Sequence, residues 1–244
     1  MSIVRTLAIA RRIVIQIVRD HRTLALILVM PVMVMTLVGL SFSEKKAVLD
    51  FAAPALVGAL VMFFVFILTG VSFLRERTQG TLERLLATPV GRGDVLLGYL
   101  VGFLVFAAVQ SLLVVLFLVL VLQISYQGVL WHIFLLVLVL ATTSLNMGIF
   151  FSTFARNEFQ VMQFIPLVIV PQLFLGGVLV PVEQMPGYLQ AVSRMLPLTY
   201  AIRGLRDIMV RGEGLEGVVT ELGILAGFAI MMMALAAATV RRSS

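Results

Sequence analysis

The sequence contains no cysteine, two histidines and one tryptophan in 244 residues. Without cysteine the chain has no disulfide, no thiol nucleophile and no cysteine-ligated metal site. The histidines, His21 and His132, are far apart, and each stands at the edge of an apolar run. We therefore interpret them as polar residues at a membrane boundary, not as a metal pair, and we expect no metal site.

Other absences narrow the function further. The chain has no Gly-x-x-x-x-Gly-Lys-Ser/Thr loop, so it has no P-loop with which to bind ATP. Ser111, Ser144 and Ser152 lack a partnered base, which argues against serine hydrolysis. The long apolar runs contain almost no ionisable side chain, and Glu221 near the end of the last run is the nearest case. Because ion-coupled transporters need such groups as relays, the sequence disfavours a secondary transporter.

Apolar residues are abundant instead. They make up 61% of the chain, against 12% charged residues, and the mean hydropathy is +1.12. Runs of about 20 apolar residues cross about 30 Å of hydrocarbon. We place such runs at residues 24–42, 51–74, 95–123, 131–154, 159–180 and 217–240. Their unbroken apolar character predicts helices rather than barrel strands, so we expect an all-α integral membrane protein, a single transmembrane domain over residues 1–244 with a six-helix bundle.

The basic residues are distributed unevenly between the two sides of this bundle. An even number of spans puts both termini on one side, and most of the arginines fall there. They are Arg5, Arg11, Arg12, Arg19, Arg22, Arg75, Arg77, Arg84, Arg92, Arg156, Arg241 and Arg242. The positive-inside rule then predicts a multi-pass protein of the cell (plasma or inner) membrane with both termini cytoplasmic. We expect no cleavable signal peptide and no nucleic-acid partner.

Residues 3–22 precede the first span and have a pattern of their own. On a helix, Ile3, Leu7, Ile13, Val14, Ile17 and Val18 gather on one side, and Arg5, Arg11, Arg12, Arg19 and Arg22 gather on the other. The pattern predicts an amphipathic helix that lies along the cytoplasmic leaflet. It is either an anchor on anionic lipids or, in addition, part of a dock for a cytoplasmic partner.

A charged island, Arg75–Pro89, separates the second span from the third. Gly80 is suited to be a helix N-cap, with Glu83 at the third helical position, where a carboxylate meets free N–H groups. Pro89 ends the helix, because proline disfavours helical geometry at Thr88. Leu82, Leu85 and Leu86 share one face. Since so short a helix is unstable alone in water, it must rest on another surface.

The island also carries a recognisable string: Glu76, Gly80-Thr81, Glu83, Leu85-Leu86 and Thr88-Pro89. It resembles the signature of the type 2 permease family of ATP-binding-cassette transporters, which export drugs, polysaccharides and lipids. The resemblance covers nearly the whole chain, from the opening helix through six spans and an outer re-entrant region. It implies that residues 80–88 form a coupling helix, which rests in a groove of an ATPase subunit and transmits its closure.

The resemblance further implies partners and roles. We expect no fused nucleotide-binding domain and hence a separate ATPase dimer that binds ATP and Mg²⁺, a homodimer of this chain, and membrane lipids. The coupling residues would be Arg75, Glu76, Arg77, Gly80, Thr81, Leu82, Glu83, Leu85, Leu86, Thr88 and Pro89. The first three would contact the ATPase or the opening helix, and Glu83 would contact the ATPase or only cap its own helix.

The outer region, residues 181–212, is too interrupted to cross the membrane. We expect two short re-entrant helices at the outer leaflet, which either cap the bundle or gate the exit of substrate. The resemblance extends through this region to Arg203, Arg206 and Gly212. The proposed gate comprises Pro197, Tyr200, Arg203 and Asp207, with Arg203 and Asp207 paired one helical turn apart.

Aromatic residues suggest a substrate path. The resemblance implies that the second and fifth spans face each other. In that arrangement Phe63, Phe64 and Phe66 of the second span and Phe164, Gln172 and Phe174 of the fifth would line an apolar cleft at a dimer interface; the alternative is packing or lipid contact. Gln110 and Asn146 are expected to form interhelical hydrogen bonds. The predicted function is the permease subunit of an ATP-driven exporter of an amphipathic or lipid-like molecule. The alternatives are an ATP-independent membrane scaffold or a polysaccharide or glycolipid exporter subunit.

Overall fold

The computed structural model describes residues 2–86 and 91–242, with all their side chains except those at 22, 82, 83, 86, 92 and 240–242. The α-helices of this part are α1 (Ile3–Arg19), α2 (His21–Ser41), α3 (Lys46–Thr78), α4 (Thr81–Leu86), α5 (Arg92–Leu120), α6 (Leu130–Ser152), α7 (Glu158–Leu175), α8 (Gly187–Ser193), α9 (Pro197–Met209) and α10 (Val219–Arg242). Short 3₁₀ turns lie at Val182–Gln184 and Leu215–Val218.

Among the described residues, six helices are long and apolar enough to cross a membrane: α2, α3, α5, α6, α7 and α10. The predicted fold class, an all-α membrane protein with six spans, is therefore confirmed. Two boundaries differ from their predictions by five residues. The helix of the second span begins at Lys46 instead of Phe51. The fifth span ends at Leu175 instead of Val180, because Gly176 terminates α7 and Gly177 adopts a left-handed φ of +87°.

Helix α3 carries the second span directly into the charged island. It has 33 residues, and at about 1.5 Å per residue it is about 50 Å long, more than the hydrocarbon core requires. Arg75, Glu76 and Arg77 therefore belong to the last turns of the same helix, without a break after Leu74. A continuous helix thus connects the charged island to the second span, so a movement of the island would be transmitted to the span.

The centre of the bundle is formed by α3 and α6. In the most apolar part of each, 67% of the residues are buried, against 17% in α2, α7 and α10. Asn146 of α6 donates to the Ala229 carbonyl of α10 at 3.0 Å, so the expected interhelical hydrogen bond exists. The same expectation was wrong for Gln110, whose fully buried amide has no hydrogen-bond partner among the described residues.

Helix α1 packs along α5. Ile9 and Ile13 fit over Gly98 and Gly102, where an added Cβ would come within 2.6 and 2.9 Å of the respective isoleucine Cβ. Two glycines four residues apart thus allow the helix backbones to approach closely. The predicted apolar face was partly wrong. Ile13 and Ile17 are buried as part of it, but Ile9 and Ala10 replace Ile3, Leu7 and Val18, which are exposed.

The predicted helix 3–22 is interrupted at Asp20. Helix α1 ends at Arg19, and α2 begins at His21. The Asp20 carboxylate accepts hydrogen bonds from the backbone N–H of Thr23 at 3.1 Å and from the Thr23 hydroxyl at 2.5 Å. Asp20 therefore caps the first membrane-spanning helix, which allows the chain to change direction there.

At the opposite end of the bundle, residues 181–212 contain two short helices, α8 and α9. Their re-entrant position at the outer leaflet remains a prediction. Pro197 occupies the first turn of α9, where its missing N–H costs nothing. Gln172 of α7 accepts a hydrogen bond from the Leu198 N–H at 3.3 Å and so caps α9 from a neighbouring helix. Most of α9 is buried against α3, α6 and α10, so it is an integral part of the bundle.

Candidate functional site

Glu76 is the centre of the charged end of the bundle. It is 3% exposed, and its Oε2 accepts two hydrogen bonds, from Arg12 Nη2 at 2.8 Å and from the Tyr99 hydroxyl at 2.8 Å. A buried carboxylate without partners would be costly, whereas here one cation and one hydroxyl stabilise it. One side chain therefore joins α1, α3 and α5.

Tyr99 reaches this carboxylate from within an apolar helix. Its ring packs edge-on against Phe73 with centroids 5.2 Å apart and lies 6.0 Å from the ring of Phe103. The ring is fully buried, so its hydroxyl needs a partner within the protein. Glu76 supplies that partner.

The arginines on either side of Glu76 bind other helices. Arg75 donates from Nε to Glu158 Oε1 at 2.7 Å, in the first turn of α7, and its Nη1 lies 3.5 Å from Asp20 Oδ2. Arg77 donates from Nη1 to the Ser152 carbonyl at 2.8 Å, where α6 ends. A cation at the end of a helix satisfies a free carbonyl and complements the helix dipole.

Together these residues form one network, which we call the polar clamp. It consists of Arg12, Asp20, Arg75, Glu76, Arg77, Tyr99, Ser152 and Glu158. Through it, the end of α3 is bonded to α1, α5, α6 and α7 and to the start of α2. Of the two partners expected for Glu76, the ATPase or the opening helix, the structure contains the second.

Helix α4 follows the clamp after a single turn. Gly80 adopts a φ of +68°, its N–H donates to the Arg77 carbonyl at 3.1 Å, and its carbonyl accepts from the Arg84 N–H at 3.1 Å. The residue therefore ends α3 and begins α4, in a conformation that favours glycine. Leu85 packs against the core, and α4 contacts α3 and α5.

Part of the predicted coupling helix lies outside the described residues. Thr88 and Pro89 are in the segment 87–90, and the side chains of Leu82, Glu83 and Leu86 are likewise not described. The predictions about the proline stop and the role of Glu83 remain predictions.

The cavity that adjoins the clamp is too small for an organic substrate. The adjoining cavity, between α1, α3 and α5, has a volume of about 50 Å³, which is one or two water molecules. Among the residues that the structure describes, no group of three or more His, Asp or Glu residues could hold a metal ion. The chemistry at this end is therefore that of hydrogen bonds and ion pairs.

The predicted substrate-path residues do not form one surface within a single chain. Phe66 is fully buried and packs against Phe151, which also contacts Phe164 at 5.8 Å between centroids. Gln172 is buried and caps α9, so Phe66 and Gln172 do not face an open cleft. Phe63 and Phe64 are partly exposed and stack edge to face at 5.1 Å, whereas Phe174 is exposed.

The predicted gate pair was wrong. Asp207 pairs with Arg211 Nη1 at 2.5 Å, and the Arg203 guanidinium lies 6.0 Å from the Tyr200 ring centroid. Arg211 lies in the turn just after α9, and its guanidinium reaches back to the Asp207 carboxylate. The Arg203 guanidinium lies instead beside Tyr200, one turn toward the start of α9. Tyr200 donates to the Arg194 carbonyl at 2.8 Å, so it fastens α9 to the turn after α8.

Sequence reasoning misses several clamp residues. It assigns Arg12 to the charged face of the opening helix without a partner inside the protein, and it gives Tyr99, Glu158 and Ser152 no part in the charged end of the bundle. One signal was available: Tyr99 is a tyrosine with a polar tip near the start of an apolar span, and such a tip needs a partner. The helix-end carbonyl of Ser152 gives no signal in the sequence.

The fold and the clamp together define a multi-pass helical membrane protein. Its second span continues as one helix to the polar clamp, which is followed by a turn and a short helix. Comparison with known families agrees with this class. Residues 4–210 match the sequence model of the family described as ABC-2 type transporter. The chain therefore belongs to the ABC-2 type transporter family, and it is a membrane-spanning permease of that family.

Several curated proteins are similar to this chain. ABC transporter G family member 20 of Dictyostelium discoideum is 30% identical over 69% of this chain and 23% of its own length. The probable multidrug ABC transporter permease YbhS of Escherichia coli (strain K12) is 28% identical over 76% of this chain and 49% of its own length. Nodulation protein J of Rhizobium meliloti (strain 1021) is 33% identical over 70% of this chain and 64% of its own length. The chain thus spans less than two thirds of each of these relatives.

Proposed function

We propose that this chain is the permease subunit of an ATP-driven exporter that moves an amphipathic or lipid-like small molecule out of the cytoplasm. In this proposal the charged end of the bundle is cytoplasmic, a separate ATPase dimer binds ATP and Mg²⁺, and α4 is the coupling helix. The observation that carries it is the attachment of α4. One left-handed residue, Gly80, joins α4 to a helix whose end is bonded to four neighbouring helices.

The polar clamp gives this coupling a physical basis. A short helix moves a bundle only if the force on it reaches the spans without being lost in a loose loop. The clamp ties the end of α3 to α1 through Arg12 and to α6 through Ser152, so a push on α4 moves these helices together. Rigid-body displacement of packed helices is a common form of such switching.

Two observations support the substrate class. The Escherichia coli relative YbhS is named as a probable multidrug permease. The bundle contributes apolar and aromatic side chains rather than charged ones to its membrane-facing surface. Such a surface suits an apolar or amphipathic substrate better than a strongly polar one.

A homodimer is part of the proposal. Helices α2, α7 and α10 are buried over only 17% of their most apolar parts. Their exposed side chains, which include Phe159, Leu167 and Phe174 of α7, are available to lipid or to a second copy of the chain. A two-fold arrangement would let one ATPase dimer act on two coupling helices.

The experiment is reconstitution in liposomes with the cognate ATP-binding-cassette ATPase. We expect a stable complex, nucleotide-dependent transport, and loss of coupling between hydrolysis and transport in Glu76→Gln and Gly80→Pro. Glu44→Gln is the matched control, because Glu44 is exposed in the loop between α2 and α3, at the other end of the bundle. Transport at full rate without nucleotide would remove the proposal, and normal cellular function without the ATPase would favour the scaffold.

A further inference from the structure

A second group of charged side chains lies at the end of the bundle opposite the polar clamp. It lines a cavity of about 370 Å³ between the start of α3, the turn after α7 and helix α9. Its charged residues are Glu183, Arg203, Arg206, Asp207 and Arg211. No part of this cavity belongs to the coupling site. We call it the arginine cavity.

Arg206 is held in a fixed position within the arginine cavity. Its Nη2 donates to the Gly177 carbonyl at 2.9 Å, and its guanidinium carbon lies 5.0 Å from the centroid of the Phe51 ring. The left-handed φ of +87° at Gly177 is part of the turn that presents this carbonyl. A guanidinium fixed on one edge and stacked on one face keeps its remaining N–H groups pointed in set directions.

One of those remaining donors has no acceptor. The Arg206 Nε is buried, and within residues 2–86 and 91–242 no hydrogen-bond partner lies against it. Burial lowers the pKa of Arg206, and the charge of Glu183 acts in the opposite sense. Because an arginine stays charged even so, the cavity contains a desolvated cation with an unused donor. A buried donor without an acceptor is unfavourable, so an anion here would be stabilised.

The neighbouring charges leave the cavity with an excess of cations. Asp207 is already paired with Arg211. Arg203 contacts the ring of Tyr200 and is otherwise exposed, and Glu183 is exposed at the rim. Two guanidinium groups, Arg203 and Arg206, thus face a single carboxylate that forms no ion pair among the described residues.

Size and lining distinguish this cavity from a site for a small ion. Its volume lies within the range of about 300–1,000 Å³ that is usual for organic ligands. Phe51, Val182 and Ile202 supply an apolar wall beside the arginines. Phe51 is itself exposed at the start of α3, so the apolar wall continues toward the outer surface of the bundle.

We propose that the arginine cavity binds the anionic head, a phosphate or a carboxylate, of an amphiphile whose apolar part lies along Phe51 and Ile202. Arg206 donates to the anion from its free N–H groups, and Arg203 adds the second cation. Guanidinium groups match the planar or tetrahedral oxygens of such heads with two parallel hydrogen bonds. Binding requires neither the ATPase nor transport, so a failure of the coupling proposal leaves this one intact.

The test is native mass spectrometry of the full chain in non-ionic detergent. The probes are dihexanoyl phosphatidic acid and decanoate, with dihexanoyl phosphatidylcholine as the zwitterionic comparison and inorganic phosphate as competitor. We expect saturable binding of at least one anionic probe, weak binding of the zwitterion, and weakening of at least ~10-fold in Arg206→Gln, since charge-assisted bonds are lost. Arg194→Gln is the control, because Arg194 is exposed at the same end but outside the cavity.

A second variant guards against misfolding. Arg206→Gln removes the bond to Gly177 and could unfold the turn, which a shift in size-exclusion elution would reveal. Arg203→Gln leaves that bond in place and should still weaken binding by about threefold or more. Absence of binding for both anionic probes, or equal binding in Arg203→Gln and Arg194→Gln, would overturn the proposal. Inorganic phosphate that binds as tightly as the amphiphiles would also overturn it, because the site would then be one for a free anion.

Discussion

Arg12 and Glu76 are 64 residues apart in the sequence, yet Arg12 Nη2 donates to Glu76 Oε2 at 2.8 Å. The arginine is about one third exposed, whereas the carboxylate is almost completely buried. The pair fixes α1 to the end of α3, just before the turn that leads into α4. If α4 receives a push from an ATPase, this contact decides whether α1 moves with it.

Glu76→Gln should weaken the attachment of α1. The amide can still accept from Tyr99, but it no longer attracts Arg12, and the partly exposed pair limits the loss to about 1–3 kcal/mol. We expect a lower melting temperature of the purified protein. Glu44→Gln should leave it unchanged, and the double change Arg12→Gln/Glu76→Gln should cost less than the sum of the single changes. Additive losses would contradict the contact.

Tyr99→Phe tests the second bond to the same carboxylate. The ring contacts with Phe73 and Phe103 remain, so only the hydroxyl is lost, at a cost of about 1.5–3 kcal/mol for a bond to a charged group. Thermal unfolding followed by circular dichroism measures the change. Tyr126→Phe is the matched control, because Tyr126 has no hydrogen bond among the described residues. Equal stability of the two variants would mean that the Tyr99 hydroxyl does not stabilise Glu76.

Gly98→Val should displace α1 from α5. A Cβ at this position would lie 2.6 Å from the Cβ of Ile9, and neither helix backbone can yield easily. Since the chain has no cysteine, Ile13→Cys provides a single labelling site in the buried face of α1. Maleimide labelling of that cysteine should rise about tenfold or more in Gly98→Val as the face becomes exposed. Gly227→Val is the control, because nothing lies within 4 Å of a Cβ built there.

Substitutions at Gly80 test the effect of backbone strain without any effect of side-chain contact. A Cβ at Gly80 would meet nothing within 4 Å, so only the φ of +68° disfavours a residue other than glycine at this position. Gly80→Val should therefore destabilise the turn by about 1–2 kcal/mol, and Gly80→Asn by less, because asparagine tolerates this conformation. Hydrogen exchange at residues 77–86 reports the difference. Identical exchange in the two variants would show that the turn does not depend on the left-handed conformation.

The orientation in the membrane can be tested with single cysteines. Ser43 and Gln79 are both exposed and lie at opposite ends of α3. In intact cells, an impermeant maleimide should label Ser43→Cys, whereas Gln79→Cys should react only after permeabilisation. The reverse pattern would place the charged end outside and remove the proposed contact with a cytoplasmic ATPase.

The sequence predicted the spans more successfully than it predicted the contacts between them. The second and fourth spans, which form α3 and α6, are long apolar runs, and the membrane requires such runs to be helical. Their ends were less certain, because Gly176 stops α7 before the apolar run is finished. The pairing of Asp207 with Arg211 instead of Arg203 was missed for another reason. A spacing of four residues allows both pairs, and only the folded structure, in which Arg203 lies beside Tyr200, selects Arg211 as the partner.

Composition and linear order were sufficient to establish a six-span helical membrane protein with a charged turn between its second and third spans, because the cost of unpaired backbone groups in hydrocarbon acts on each segment separately. The same local information indicated a short helix after Gly80. Only the tertiary structure decided that Arg12, Tyr99 and Ser152 meet the end of α3, and that Arg206 faces a cavity with an unused donor. Those contacts join residues from different helices, and helix packing, which depends on side chains from several segments at once, is what brings them together.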